Sequence, residues 1–152
     1  MNSSSIVKSC QQKVFQQGQF YCVYDEQLIS DFDPQIFSSD YWRALQAITG
    51  TAKGRGTTYF VRPSTSKQWV LRHYYRGGMV GKLVHDHYLF TGWQHTRAAQ
   101  EFNLLTELAQ LKLPAPKPVA FRVIRSGLSY QADIITERIE HANDLVALLS
   151  EQ

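Results

Sequence analysis

Three glycines, Gly50, Gly54 and Gly56, punctuate a short stretch that also carries Lys53 and Arg55 (GTAKGRG). Glycine lets a backbone come close to phosphate oxygens that a Cβ would hold away, and exposed N–H groups beside two cations favour a polyanion. A β-prone run follows at residues 57–62 (TTYFVR), not a helix, so the stretch fits neither the GxxxxGK[ST] phosphate loop nor a Rossmann GxGxxG. By itself it reads first as a plain hairpin turn and only second as a phosphate cradle.

Two charged residues farther along sit where charge is unusual. Arg72 interrupts the apolar run WVLRHYY at residues 69–75, where period-2 alternation puts Val70, Arg72 and Tyr74 on one face. Its stem packs while its head reaches either water or an anion. Glu101 lies in a helical pattern at residues 96–111, at the edge of the apolar stripe Ala98, Phe102, Leu105 and Ala109. A carboxylate left dehydrated and unpaired is costly, so Glu101 reaches solvent, pairs with Arg97 at i, i+4, or meets a partner from elsewhere. The order matters more than any one of these: a glycine turn, a cation on the second following strand and a glutamate on the next helix is the order of a protein-kinase N-lobe. There the strand cation holds nucleotide phosphates and the glutamate orients it.

The elements that must position these groups are mostly legible. A strand is expected at residues 19–28 (QFYCVYDEQL), a break at Asp33-Pro34, and a helix at residues 41–48 after the capping chemistry of Ser38-Ser39-Asp40. Strands follow at 57–62 and 69–75 around a turn at 63–67, then the long helix, which Leu113-Pro-Ala-Pro-Lys-Pro118 ends. Strands at 119–124 and 130–139 flank a Ser126-Gly127 turn, and a last helix opens near Asn143-Asp144. Ser3 to Ser5 and the glutamines after them read as a frayed leader, and residues 79–90 carry no clear pattern.

At 152 residues, 43% apolar and 19% charged, the chain has the composition of one folded domain. No apolar run approaches the roughly 18 residues of a membrane span, and residues 1–12 have no signal-peptide core. Cys10 and Cys22, with no CxxC, read as packing thiols. The net charge of +3 conceals a cationic block: from Lys53 to Arg97 there are eight Lys/Arg against one acid, Asp86. Such a block suits a nucleotide, a nucleic acid or an acidic membrane surface, or is simply a solvated face. A basic module that binds nucleic acid or membrane phosphates is one rival reading, though RNP, KH and helix-turn-helix signatures are missing from the sequence, and a kinase-like regulator that binds ATP without catalysis is another.

The segments GRGTTYFV (54–61), WVLRHYYRGG (69–78), LPAPKPVAFR (113–122) and YQADIITERIEHANDLVALL (130–149), with Arg97, Glu101, Phe102 and Leu105 between them, resemble the 3-deoxy-D-manno-octulosonic acid (Kdo) kinases of Gram-negative bacteria. The resemblance implies an α+β, protein-kinase-like N-lobe: an antiparallel β-sheet with one long packed helix and an extra N-terminal helix, the C-lobe absent. It divides the chain into an extension (1–37), a nucleotide-binding lobe (38–139) and a hinge with the start of the first C-lobe helix (140–152). It implies ATP and Mg2+ as cofactors, Kdo-lipid A as acceptor at its 4-hydroxyl, no nucleic-acid partner, and a peripheral place on the cytoplasmic face of the inner membrane. ATP would meet Gly50, Lys53, Gly54, Arg55, Gly56, Arg72 and Glu101, with the base at a hinge of Glu137, Arg138 and Ile139. Arg76 and Lys82 would face the anionic acceptor, Lys82 also being the alternative to Arg72 as phosphate ligand. Arg72 stands where the family pattern expects a lysine. A fork replaces a point charge there. The catalytic aspartate and the metal ligands of an HxDxxxxN-type segment would lie beyond Gln152, so the chain is expected to supply most of the nucleotide site without turning over alone.

Overall fold

The computed structural model describes residues 12–54, 56–75 and 88–138. Strands β1 (Gln12–Gln17) and β2 (Phe20–Asp25) form a hairpin, followed by a 3₁₀ turn (Pro34–Phe37) and a short helix α1 (Ser39–Ala44). Then come β3 (Ile48–Lys53), β4 (Thr57–Ser64), β5 (Lys67–His73), the short β6 (Tyr88–Leu89), the long helix α2 (Arg97–Gln110), β7 (Pro118–Ser126) and β8 (Ser129–Glu137). Among the described residues all eight strands join one antiparallel sheet in the order β1-β2-β7-β8-β5-β4-β3, with β6 on the start of β8. The expected class, an antiparallel sheet with one long helix, is the one observed.

The sheet is covered on both faces, which explains why β8 reads as a nearly unbroken apolar run. Alternation sends Tyr130, Ala132 and Ile134 towards α2, where they meet Ala98, Ala99, Phe102 and Leu105. Ile135 faces the other way, into a cluster with Leu71, Trp69, Trp42, Ile36 and Phe37. Helix α2 is capped by the Thr96 hydroxyl, which accepts from the Ala99 N–H at 3.3 Å. Phe102 is 1% exposed and its ring meets Phe121 edge-on at 5.2 Å. Truncating it in Phe102→Ala therefore costs about 3–5 kcal/mol, read as a lowered midpoint in urea unfolding.

Three expectations are corrected. The glutamines read as a leader include Gln12, Gln16 and Gln17 of β1, an edge strand held by its hairpin: Gly18 takes φ 57 at the turn, and Phe15 packs against Phe32 at 5.4 Å. Residues 12–37, set apart above as an extension, thus contribute two strands and the Ile36–Phe37 part of the core to the same sheet. The helix expected at 41–48 stops at Ala44, because Gln46 turns left-handed (φ 55) and the Ala47 N–H donates to the Trp42 carbonyl at 2.9 Å. Finally, most of the glycine stretch is strand. β3 runs to Lys53 with an irregularity between Ile48 and Gly50, leaving Gly54 and Gly56 between it and β4.

Candidate functional site

Alternation along β5 decides where its charges go. Leu71 enters the core on one face, and Arg72 emerges on the face that carries α2. There the Arg72 guanidinium donates through Nη2 to Glu101 Oε2, and the Tyr74 hydroxyl donates to Glu101 Oε1 at 2.6 Å. Both carboxylate oxygens are thereby occupied. Burial pushes the Tyr74 hydroxyl far above its ordinary pKa, helped by its hydrogen bond to Glu101 and by that carboxylate's charge, so it remains a donor at any physiological pH. The alternative pairing of Glu101 with Arg97 does not form. The Arg97 guanidinium instead lies over the Tyr88 ring, 5.7 Å from its centre.

Arg72, Glu101 and Arg97 line one open cavity of about 400 Å³ together with Lys53, Gly54 and Gly56 of the glycine turn. Thr57, Thr58, His73, Tyr74, Tyr75 and Tyr88 complete much of its wall. Groups from β3, β4, β5 and α2 are thus brought to one place by the β3–β4 turn closing over the end of β5. The turn's glycines differ in their surroundings. A Cβ on Gly54 would have nothing within 4 Å, so this position is open to a ligand. A Cβ on Gly50 would touch Phe60 at 3.4 Å, and Gly50 sits back in β3 outside the cavity wall.

Glu137 and Arg138 are not brought to this cavity. Glu137 ends β8 and Arg138 follows it; the Glu137 N–H donates to the Lys117 carbonyl and the Arg138 N–H to the Gln68 carbonyl, both at 2.8 Å. The Arg138 guanidinium stacks 4.4 Å from the Phe60 ring centre. Arg55, Arg76, Lys82 and Ile139 lie outside the described residues.

The sequence reading missed Tyr74 as the second clamp on Glu101, although its shared face with Arg72 was the signal. It also missed a part-buried polar row on the sheet's other face. Cys22, Arg122, Asp133 and His73 are cross-strand neighbours on β2, β7, β8 and β5. Asp133, only 3% exposed, accepts from Arg122 Nε at 3.0 Å and Nη2 at 2.8 Å, and its Oδ1 shares a 2.7 Å hydrogen bond with His73 Nδ1. Burial pushes the neighbouring Cys22 thiol up to about 12, which makes it an inert packing group. A lone aspartate in the apolar run ADIIT was the signal for this row. Among the described residues no three His, Cys, Asp or Glu side chains gather as a metal site.

Residues 39–152 match the model of the lipopolysaccharide kinase (Kdo/WaaP) family. The chain belongs to that family. Similar members of the Kdo/WaaP family include proteins named 3-deoxy-D-manno-octulosonic acid kinase from three bacteria. The one from Vibrio parahaemolyticus is 52% identical over 129 residues, 85% of this chain and 54% of the relative. The one from Photobacterium damsela subsp. piscicida is 44% identical over 141 residues, 92% of this chain and 58% of the relative. The one from Haemophilus influenzae strain PittEE is 43% identical, covering 91% of this chain and 59% of the relative. The chain therefore spans a little more than half the length of these Kdo/WaaP relatives. No solved structure matches it.

Proposed function

We propose that this chain forms the nucleotide-binding lobe of a kinase that transfers the γ-phosphoryl group of ATP to the 4-hydroxyl of lipid-A-linked Kdo. The observation that carries the reading is the convergence of Arg72, held by Glu101 and Tyr74, with Lys53 and the open Gly54 backbone on one cavity. Cations beside a glycine turn that a phosphate can approach closely are what a triphosphate needs. The names of the similar proteins supply the acceptor.

In this mechanism the turn and Lys53 lie along the phosphate chain while the Arg72 fork holds non-bridging oxygens. Glu101 does not act as a base, because both its oxygens already accept hydrogen bonds; it fixes where the guanidinium points. The bond from the γ-phosphorus to its bridging oxygen breaks to leave ADP, a new bond forms to the sugar oxygen, and the hydroxyl proton departs to a base outside the described residues. Mg2+ would accompany the nucleotide and neutralise developing charge. The described residues do not by themselves provide a ligand set for it, since Glu101 is committed to Arg72 and Tyr74. Lys53, Arg72 and Arg97, the cations of the block that line the cavity, suit an acceptor that carries carboxylate and phosphate, and a peripheral station at the inner membrane's cytoplasmic face follows from that acceptor. No helix of the described residues is long and apolar enough to cross a membrane.

Nucleotide linkage tests the reading. With MgATP at a hundredfold excess over Kd, the native state gains about 2.7 kcal/mol, visible as a higher melting temperature that Arg72→Ala abolishes. No response to ATP, combined with nucleic-acid binding that collapses between two salt concentrations, would replace the kinase reading with that of a basic binding module.

A further inference from the structure

The two glycines that flank position 55 in the turn serve different neighbours. The space beside Gly54 is empty, whereas a Cβ on Gly56 would fall 2.0 Å from Tyr75 Cε2 and 2.4 Å from its Cδ2. The Tyr75 ring therefore lies directly against the Gly56 backbone and fills the volume any side chain there would need. Tyr75 follows the end of β5, and its ring meets the His73 imidazole edge-on with centroids 4.9 Å apart. His73 is in turn bound to buried Asp133, which Arg122 grips with two donors. A contact path thus runs from the rigid middle of the sheet, through His73 and Tyr75, to the turn. Within the turn the Gly54 N–H donates to the Gly56 carbonyl at 2.9 Å.

We infer that Tyr75, braced by the His73–Asp133–Arg122 row, is a positioning residue that pre-shapes the glycine turn for nucleotide phosphates. The inference rests on the phosphate reading of the turn and adds the reason for Gly56: it makes room for a ring, while Gly54 makes room for the ligand. A glycine-rich turn free in solution samples many backbone conformations, and each must be given up when phosphates bind. A ring pressed on Gly56 removes part of that freedom beforehand, so less affinity is lost to ordering. Tyr75 itself is half-buried just past the end of β5 and belongs to neither core cluster of the described residues, so its truncation opens neither of them.

The test is a double-mutant cycle in the full chain, read by titration with a fluorescent ATP analogue plus Mg2+ and by amide exchange at residues 53–57 without nucleotide. Tyr75→Ala is expected to weaken nucleotide binding about tenfold and to speed exchange across the turn, while Tyr75→Phe, which keeps the ring, stays near wild type. Gly56→Ala is expected to weaken binding strongly with Tyr75 present and only slightly in the Tyr75→Ala background, because the clash is with the ring. An equal cost of Gly56→Ala in both backgrounds, or unchanged affinity and exchange in Tyr75→Ala, overturns the inference while leaving the nucleotide site standing. A wild-type chain that binds no nucleotide overturns the phosphate reading, and the inference falls with it.

Discussion

Asp133→Ala is expected to lower the unfolding free energy by about 3–5 kcal/mol, enough to remove much of the stability of an ordinary domain. The substitution takes away three hydrogen bonds at once and leaves the Arg122 guanidinium on the covered face of the sheet with its carboxylate gone. That charge was taken out of water on the strength of the pairing, and the side chain of Arg122 retains only 17% of its exposure. Its guanidinium also lies over the Phe37 ring, 5.2 Å from the centre, a contact it would give up by swinging out to solvent. Equilibrium urea unfolding measures the loss, and a change below about 1 kcal/mol would mean that the row does not brace the sheet. Exchanging Arg122 and Asp133 together for Met and Leu is expected to recover part of the loss, since an apolar pair has no charge to strand.

Glu101→Gln behaves in the opposite way: it spares stability and damages the site. The Arg72 and Glu101 side chains retain 39% and 30% of their exposure, so the ion pair is screened and its loss costs the fold only about 1 kcal/mol or less. The geometry suffers more. An amide has one acceptor oxygen where the carboxylate has two, and its NH2 must face either the Arg72 guanidinium or the Tyr74 hydroxyl, both donors in this arrangement. Arg72 then loses the direction in which it is held. On the proposed reading Arg72 is a phosphate ligand, and displacing one by about 1 Å costs on the order of 10²-fold, so kcat/KM for ATP in the full-length protein is expected to fall by about that factor. Steady-state kinetics beside a thermal melt separates the two effects. A variant with wild-type kcat/KM would show that Glu101 does not orient the phosphate cation.

These two carboxylates mark the border between what was legible in the chain and what was not. Glu101 was visible as an acid at the edge of an apolar helical stripe, and Arg72 as a cation in an apolar strand, because 3.6- and 2-residue periods are local properties. Their pairing was open, however: Arg97 at i, i+4 was as good a partner on paper. The sheet chose, by aiming Arg72 and Tyr74 at α2 from a strand that precedes the helix by more than twenty residues. The polar row shows the same limit more strongly, since His73 and Asp133 are 60 residues apart and meet only through the β5–β8 register.

The sequence by itself determined the class of fold, most of the strands, the long helix and the order of turn, cation and acid. Each of these is written in short-range pattern or in segments shared with a family. The tertiary structure decided the rest. Gln12–Gln17 is a strand because β2 offers it an edge, not because its residues prefer one. Gly50 belongs to β3 because β4 pairs with it. Gly56, which looked like its neighbour Gly54, is distinguished only by the Tyr75 ring that lies against it. Periodicity tells which face a side chain takes; only strand register and the seat of the helix tell which partner waits there.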